Sequence, residues 1–472
     1  MKTTALRSLL ALGLTCGISS LFAATPAEIE QNWHQWRGPK ADGVAPKATP
    51  PTEWSETKNV KWKVKTPGFG TSTPIIWGNK IFLLTAIKTE NKAVSYAIPS
   101  AAPTAQVAQP KGPGPGGPPP GGPGQKGKRG GGFGGGEKPT EKYQFVVLCL
   151  DRSNGKTIWQ KTVREEVPHE GHHKDHGYAS ASPITDGKHL YASFGSRGLY
   201  CLDLDGNVKW EVDLGDMRTR NGFGEGSSPA VYGDVLIQTW DQEANSFVVA
   251  LDKNTGKELW RKSREEVTSW ATPLIIEVNG KPQAIISATT KVRAYDLKTG
   301  EIVWESGGQT TNVIPSPVTG NGLIYIMSGF RGAALHAIKI GKTGDLTGTD
   351  AIAWSFDRGT PYVPSPLLYG DKLYFHKGND AFLSCFDAIK GAQHYVEQRL
   401  TGPVGVYASP LGAADKVYVI GRNGTSLVLK NSGTLEVLAT NKLDEPIDAS
   451  PAAAGKELFL RGHQSLYCIA GN

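Results

Sequence analysis

The sequence has few sulfur-containing residues and, beyond its first residues, no long apolar run. It contains 5 cysteines and 3 methionines among 472 residues. No later stretch approaches the roughly 20 apolar residues that a membrane-spanning helix needs. No nucleophile elbow, phosphate-binding loop or ordered catalytic triad is recognisable, so no catalytic residue is assigned. These absences favour a soluble protein that binds rather than catalyses.

The first residues are typical of a secretory leader. Lys2 and Arg7 precede a short apolar run at 9–18, and Ala23 and Ala24 offer a cleavage site. We therefore expect residues 1–24 to be a signal peptide and the mature protein to be periplasmic or secreted. A lipid anchor at Cys16 is the alternative, although Gly-Leu-Thr before it matches a lipobox poorly.

The net charge of +7 is concentrated outside the expected folded body. The leader carries two basic residues, and residues 100–142 carry six basic and two acidic ones, which leaves a net charge of +1 elsewhere. A nearly neutral body argues against a nucleic-acid partner.

A Ser/Thr-Pro pair followed by a short apolar strand recurs along the chain. Its prolines are Pro74, Pro183, Pro229, Pro273, Pro317, Pro366, Pro410 and Pro451. The later spacings of 41–49 residues fit four short strands per unit, the period of a β-propeller. The pattern predicts an all-β, eight-bladed propeller of four-stranded antiparallel blades.

Within a unit, the third strand ends in an Asp turn that leads to a Trp, as in Asp252-Lys-Asn-Thr-Gly-Lys-Glu-Leu-Trp260. The Asp accepts hydrogen bonds from turn amides, the Gly supplies a positive φ, and the Trp fills the space between neighbouring sheets. The last unit stops before such a Trp. The segment Asn59-Val-Lys-Trp62 matches Asn207-Val-Lys-Trp210, so an N-terminal strand is predicted to complete the last blade.

These boundaries give an N-terminal extension at 25–58 and a propeller at 59–472. The Gly/Pro-rich stretch at about 99–142 interrupts blade one and predicts a disordered insertion, with a solvated spacer as its default role and contact with a polyanion or the cell wall as the alternative. The four cysteines after the leader occupy equivalent repeat positions, a whole blade apart. They are therefore expected to be buried free thiols rather than disulfides.

The repeated Leu-Asp-x-x-x-Gly-Lys-x-x-Trp segments resemble the PQQ-like (quinoprotein alcohol dehydrogenase-like) propeller repeat family over residues 55–472. The opening Asn32-Trp33-His-Gln-Trp36-Arg-Gly-Pro39 is also similar to exported members. The family includes dehydrogenases that hold PQQ and calcium in the central funnel, and non-catalytic propellers such as the lipoprotein of outer-membrane assembly. This chain has neither the adjacent cysteines of those dehydrogenases nor a Cys-x-x-Cys-His haem motif, so the resemblance implies the non-catalytic type.

The loops that lead into the innermost strands line one mouth of a propeller channel and are natural ligand sites. Aromatic residues with sparse polar neighbours occupy these segments. They are Phe69, Tyr178, Arg220, Asn221, Phe223, Glu225, Trp270, Asn312, Tyr362, Tyr407 and Asp448. They predict a binding mouth for a sugar, a planar cofactor or a peptide, with channel-filling packing as the alternative.

Four imidazoles cluster before blade two. They are His169, His172, His173 and His176. Such side chains can hold zinc, copper or nickel, although their spacing matches no defined site and a solvated polar loop is the alternative.

The sequence therefore predicts an exported, monomeric binding or scaffolding propeller. Its partner would be a protein, a glycan or a small molecule, and association with the cell envelope is expected. The competing hypothesis is a PQQ-dependent oxidoreductase of the alcohol or sugar dehydrogenase kind, with PQQ and calcium as cofactors.

Overall fold

The computed structural model describes residues 24–92 and 135–471, and the fold is an eight-bladed β-propeller. Seven sheets have four strands and one has five; the four repeat strands of each blade pair antiparallel, and only the added fifth strand pairs parallel among the described residues. The predicted fold class is confirmed.

Each blade runs from an innermost strand at the channel to an outer strand at the rim. Blades one to four comprise β2 (Ile75–Trp77), β3 (Lys80–Lys92), β4 (Glu141–Asp151), β5 (Thr157–Glu166); β6 (Ile184–Thr185), β7 (His189–Ser193), β8 (Leu199–Asp203), β9 (Val208–Val212); β10 (Ala230–Tyr232), β11 (Val235–Trp240), β12 (Ser246–Asp252), β13 (Glu258–Arg264); and β14 (Leu274–Val278), β15 (Lys281–Ile286), β16 (Val292–Asp296), β17 (Ile302–Ser306).

The other half of the ring follows the same order. Blades five to eight comprise β18 (Val318–Gly320), β19 (Leu323–Ser328), β20 (Ala334–Lys339), β22 (Ile352–Phe356); β23 (Leu367–Tyr369), β24 (Lys372–His376), β25 (Phe382–Asp387), β26 (Gln393–Arg399); β27 (Leu411–Ala413), β28 (Lys416–Ile420), β29 (Thr425–Lys430), β30 (Val437–Lys442); and β31 (Ala452–Ala454), β32 (Glu457–Arg461), β33 (Ser465–Ala470) with β1 (Val60–Lys65).

The ring closes between the two ends of the chain. Strand β1 pairs antiparallel with β33, and Trp62 lies opposite Cys468. The predicted N-terminal strand in the last blade is therefore confirmed. Strand β1 precedes blade one along the chain but belongs to blade eight, so it links the last blade to the first.

The Asp–Gly–Trp motif joins each blade to the next one. Asp252 Oδ1 accepts hydrogen bonds from the backbone N–H groups of Asn254 and Thr255, which confirms the predicted turn. The Trp indole N–H donates to a backbone carbonyl of the following blade in five places: Trp62 to Arg152, Trp159 to Leu204, Trp210 to Lys253, Trp260 to Leu297 and Trp354 to Ala388.

The four cysteines of the described residues, Cys149, Cys201, Cys385 and Cys468, are buried free thiols, as predicted.

Two segments depart from the regular repeat. The segment between β20 and β22 of blade five supplies β21 (Gly344–Asp345), which pairs parallel with β17 at the rim of blade four. Strand β4 begins at Glu141, so the insertion predicted at 99–142 ends earlier than the sequence indicates. Residues 135–140 are described and form no regular element, whereas residues 99–134 of that predicted stretch and residues 1–23 of the predicted leader lie outside the described residues.

Helices are a minor part of the structure. They are α1 (Pro26–Gln31), capped by Thr25, and two short 3₁₀ helices at Gly195–Arg197 and Arg220–Gly222. Among residues 24–92 and 135–471, no helix is long and apolar enough to cross a membrane.

Candidate functional site at the channel mouth

A cavity of about 510 Å³ occupies the channel below the loops that enter the innermost strands. One group of its side chains is aromatic and another consists of hydroxyl groups and charged residues. The aromatic group comprises Trp36, Phe223, Trp270, Phe330, Tyr362 and Tyr407. The volume lies within the range of small-molecule sites, and the mixture of rings with a few polar groups is typical of them.

The Ser/Thr-Pro motif builds a ring of hydrogen bonds around this cavity. From blade two onward, the Ser or Thr oxygen accepts a bond from the backbone N–H of the equivalent residue in the preceding blade. Seven such bonds of 2.8–3.2 Å join, in order, Thr73, Ser182, Ser228, Thr272, Ser316, Ser365, Ser409 and Ser450. We call these eight residues the hydroxyl ring. The ring ties together the segments that lead into the innermost strands, and it gives their backbone N–H groups the hydrogen-bond acceptors that buried amides need.

The N-terminal extension crosses the opposite end of the channel. Trp33 forms a bridge with Ile76 of blade one, and both N–H groups of that bridge donate to a carbonyl. Arg37 donates to the carbonyl oxygens of Pro366 and Pro410 in blades six and seven, at 2.6 and 2.7 Å. This segment therefore spans the ring from one side to the other, and we call residues 33–45 the channel plug.

The channel plug supplies part of the cavity floor. Trp36 lines the cavity, while Arg37 is 3% exposed and makes no ion pair within 4.0 Å among the described residues. Burial lowers the pKa of Arg37 to about 10, so it stays charged at neutral pH. Three backbone carbonyls, of Pro366, Pro410 and Asp42, rather than a carboxylate solvate this buried cation, and the first two fix the plug to the ring.

The loop before blade two crosses the mouth from the other face. We call residues 167–183 the histidine loop. Its Asp175 lies 3.2 Å from the guanidinium of Arg422 and accepts a 3.2 Å hydrogen bond from the Tyr407 hydroxyl. Arg422 and Tyr407 belong to blade seven, and the guanidinium lies 3.8 Å from the centre of the Tyr407 ring. An ion pair with Arg422 and a hydrogen bond from Tyr407 thus hold the loop across the channel.

A second carboxylate, Asp448, shares the same arginine. Asp448 accepts two hydrogen bonds from Arg422, at 2.6 and 3.2 Å, and lies 2.9 Å from Nε2 of His463. Burial alone would raise the pKa of Asp448, but these contacts hold it below its ordinary value. Both acidic side chains of the cavity wall, Asp175 and Asp448, are therefore ionised and already paired.

His176 of the histidine loop is partly exposed as a residue, but its Nε2 atom is buried. Its Nδ1 lies 2.8 Å from the Ser180 hydroxyl, which in turn accepts from Thr71. Burial lowers the pKa of His176 to about 4, so the ring is neutral at pH 7. Its Nε2 has no hydrogen-bond partner among the residues of the structure, although the side chain lines the cavity.

The structure brings together only some of the predicted mouth residues. Five of the predicted mouth residues line the cavity: Phe223, Trp270, Tyr362, Tyr407 and Asp448. The six others do not line it: Phe69, Tyr178, Arg220, Asn221, Glu225 and Asn312. Two of these, Tyr178 and Glu225, line a separate small pocket. Glu225 pairs at 2.6 Å with buried Arg197, and Phe69 packs edge-on against His463.

The four imidazoles do not converge. His173 and His176 line the cavity, His169 Nε2 lies 2.6 Å from the carbonyl oxygen of Met217, and His172 packs edge-on against Tyr178. In the described part of the chain, no group of three or more His, Cys, Asp or Glu side chains is placed to hold a metal ion. The metal site remains a prediction without a geometry to support it.

Sequence reasoning missed Trp36, Phe330, Asn379, Arg422 and the binding potential of the hydroxyl ring. Trp36 stands outside the repeat and reaches the cavity through the channel plug. Phe330 and Arg422 follow the second strands of their blades, whereas the predicted residues lie in the segments before each Ser/Thr-Pro. The hydroxyl ring could have been predicted from the sequence, since the residue before each of the eight repeat prolines is Ser or Thr.

The cavity does not present the ligand set of a quinone–calcium site. Calcium takes about six to eight oxygen ligands, with carboxylates among them. Asp175 and Asp448 are the carboxylates of the cavity wall, and both contact Arg422. A calcium ion there would have to displace the arginine from both acids, so we derive no quinone chemistry from these residues.

Comparison with known proteins finds outer-membrane assembly factors among the relatives. An outer membrane protein assembly factor BamB of Francisella salina is 33% identical over 100 residues, which cover 21% of this chain and 18% of the relative. That of Yersinia pestis is 24% identical over 291 residues, covering 59% and 65%. The chain thus matches less than two thirds of the length of either relative.

A solved structure agrees in fold. The quinohemoprotein alcohol dehydrogenase from Comamonas testosteroni aligns with a TM-score of 0.56 over 94% of this chain and 81% of that chain, at 9% identity. At this identity the likeness concerns the propeller alone.

The family profile covers most of the repeat region. The profile described as outer membrane protein assembly factor BamB matches residues 143–395 and 244–470, so its matches span blade one to blade eight. This chain therefore belongs to the PQQ-like propeller repeat family of the outer membrane protein assembly factor BamB.

Proposed function

We propose that this protein is a non-catalytic binding scaffold of the cell envelope that contributes to outer-membrane protein assembly and binds its partner at the channel mouth. The observation that carries the proposal is the 510 Å³ cavity, lined by six aromatic rings, in a chain of this family. Relatives bearing the name of outer membrane protein assembly factors support the cellular context.

The geometry favours binding over chemistry. Trp270 is oriented by a 2.7 Å hydrogen bond from its indole to the carbonyl of Gly224, and Phe330 stacks on Tyr362 at 4.7 Å. Rings held in this way bind a ligand with little loss of conformational entropy. The acidic side chains of the mouth are paired with Arg422, so they position loops rather than activate a substrate.

The site also suits a partner that enters from one face. The channel plug crosses the far end, and the histidine loop narrows the mouth. A partner would therefore insert a side chain, a terminus or a small ligand into the cavity rather than thread through the ring. The bound group would contact the aromatic wall formed by Phe223, Trp270, Phe330, Tyr362 and Tyr407.

The proposal is tested by removing the aromatic wall in the organism that encodes the protein. The double variant W270A/Y407A is compared with Y232A, which removes an exposed tyrosine of blade three away from the cavity. Deletion of the gene should lower the amounts of folded outer-membrane proteins, the wild type and Y232A should restore them, and W270A/Y407A should not. Unchanged outer-membrane proteins after deletion contradict the assembly role, and full rescue by W270A/Y407A contradicts the mouth as the site.

A PQQ-dependent oxidoreductase is the competing proposal, and the propeller shared with the Comamonas testosteroni enzyme is what favours it. Absorbance of the purified protein with added PQQ and calcium, together with dye-linked oxidation of alcohols and sugars, distinguishes the two. A quinone signal with turnover would favour the oxidoreductase over the scaffold.

A further inference from the structure

The hydroxyl ring faces the cavity unevenly. Six of its members line the cavity, and we call them the hydroxyl arc: Thr73, Ser182, Ser228, Thr272, Ser409 and Ser450. Ser316 and Ser365, in blades five and six, belong to the ring but not to the cavity wall. On that side Ile314, Phe330, Tyr362 and Val363 line the cavity instead, with Asn379, whose Oδ1 already accepts the backbone N–H of Val363. The cavity therefore has a hydroxyl side and an apolar side.

The hydroxyls of the arc have protons to donate and no protein acceptor for them. In every member except Thr73 the oxygen already accepts a backbone N–H, and no second hydrogen bond joins it to an acceptor in residues 24–92 or 135–471. Ser182 and Ser409 are only 2% exposed. Buried donors without an acceptor are unfavourable, so the arc is suited to a group that accepts several hydrogen bonds at once.

The accepted N–H bonds make these hydroxyls stronger donors. A hydroxyl whose oxygen accepts a hydrogen bond is polarised and donates more strongly, and the ring repeats this arrangement blade after blade. An ionised carboxylate or phosphate accepts only, through two or more oxygens, and bonds to such groups are the stronger kind. Neighbouring hydroxyls of the arc can thus donate to one oxyanion.

The charges of the wall permit an anion. Its acids, Asp175 and Asp448, share the single guanidinium of Arg422, and Lys174 at the rim offsets the remaining negative charge, so the wall does not carry a net negative charge that would repel an anion. His173 and His176 are its remaining titratable groups besides the tyrosines. The buried Nε2 atom of His176, which has no hydrogen-bond partner among the described residues, is a second, independent sign that a polar ligand atom belongs in the cavity.

We propose that the hydroxyl arc binds the oxyanion, carboxylate or phosphate, of a ligand whose apolar body lies against Ile314, Phe330 and Tyr362. This inference rests on the proposed function, because it assigns a chemical class to the ligand of the same mouth. It makes the cavity selective for acids over alcohols and sugars of the same size.

Three probes test the proposal with the purified full chain. Inorganic phosphate and benzoate represent the two sources of the oxyanion, and benzyl alcohol is the uncharged match of benzoate. Calorimetry should show one site per chain for benzoate or phosphate, and at least about tenfold weaker binding of benzyl alcohol. Binding of neither anion, or equal binding of benzoate and benzyl alcohol, would overturn the proposal.

Two double variants separate the arc from the ring. Both S182A/S228A and S316A/S365A remove two adjacent acceptors of backbone N–H groups, but only the first pair lines the cavity. S182A/S228A should weaken binding of the anion about tenfold or more, whereas S316A/S365A should change it less than about twofold. Equal loss in both variants would show that anion binding depends only on the integrity of the ring and would overturn the proposal.

A measurement without mutation covers the case in which a variant does not fold. In wild-type protein labelled with ¹⁵N-serine, the bound anion should shift the amide signals of Ser182 and Ser228 more than those of Ser316 and Ser365. Shifts of the opposite pattern contradict the arc as the site. If no anion binds but W270A/Y407A still fails to restore outer-membrane proteins, this inference falls and the proposed function stands.

Discussion

Gly256 of blade three lies directly against the indole of Trp210 in blade two. A Cβ at Gly256 would stand 2.8 Å from Cδ2 of Trp210, and the residue has a φ of +73°. The same contact recurs between Gly206 and Trp159 and between Gly300 and Trp260. The repeat glycine is therefore required twice, once by the turn and once by the neighbouring blade.

Gly256→Ala should accordingly destabilise the protein more than an alanine in a turn of similar φ. Gly370, with a φ of +66°, is the matched control, because a Cβ added there would meet no atom within 4 Å. The left-handed conformation should cost both variants about 1–2 kcal/mol, and the clash with Trp210 should add about 1–3 kcal/mol in G256A. Urea denaturation measures the difference, and equal losses would show that the indole simply moves aside.

Arg37→Ala should detach the channel plug. Two carbonyl oxygens, of Pro366 and Pro410, would lose a charged donor, so we expect a loss of about 2–5 kcal/mol in the free energy of unfolding. Hydrogen exchange across residues 33–45 should accelerate. Lys40→Ala is the control, because that side chain is 66% exposed and its ion pair with Glu30 contributes less than about 1 kcal/mol. Unchanged exchange in R37A would mean that the backbone bridges alone hold the plug.

Asp175→Ala should loosen the histidine loop without unfolding the propeller. The ion pair with Arg422 is partly exposed, at 24% and 27%, so its loss should cost about 0.4–1 kcal/mol. Amide exchange within residues 167–183 should then rise about two- to fivefold. Lys174→Ala changes the adjacent, exposed side chain of the same loop and should leave exchange as in the wild type. An equal rise in both variants would indicate a loop held by other contacts.

Stability should fall as the pH is lowered from about 6.5 to about 4, because buried histidines stay neutral in the folded state. His376 is fully buried, and burial lowers its pKa to about 4 from an ordinary 6.5. Within this window the unfolded chain binds the proton and the folded one does not, so stability rises with pH, by up to about 3 kcal/mol. H376Q should reduce this dependence, measured as unfolding free energy against pH. H394Q, at an exposed position, should keep the wild-type dependence, and identical curves for all three proteins would contradict the assignment.

The blade count, the closing strand and the roles of the repeat residues could be predicted from the sequence, because they depend on local patterns that recur. An Asp turn, a glycine and a Trp such as Asp252, Gly256 and Trp260 lie within nine residues of one another, and their contacts repeat in the next blade. The mouth was predicted in part for the same reason. Trp270 and Tyr407 stand at equivalent positions of their repeats.

Only the tertiary structure shows that the channel plug forms the cavity floor, that the histidine loop crosses the mouth, and what shape the cavity has. Arg37 reaches Pro410, 373 residues away, and Asp175 reaches Tyr407, 232 residues away. Neither contact repeats in other blades, so no periodic signal marks it. The sequence determined by itself that eight similar units form a ring, since the repeat Trp of one unit is buried against the next. What closes and lines the ring depends on single segments that fold across it, and their partners become visible only once the ring exists.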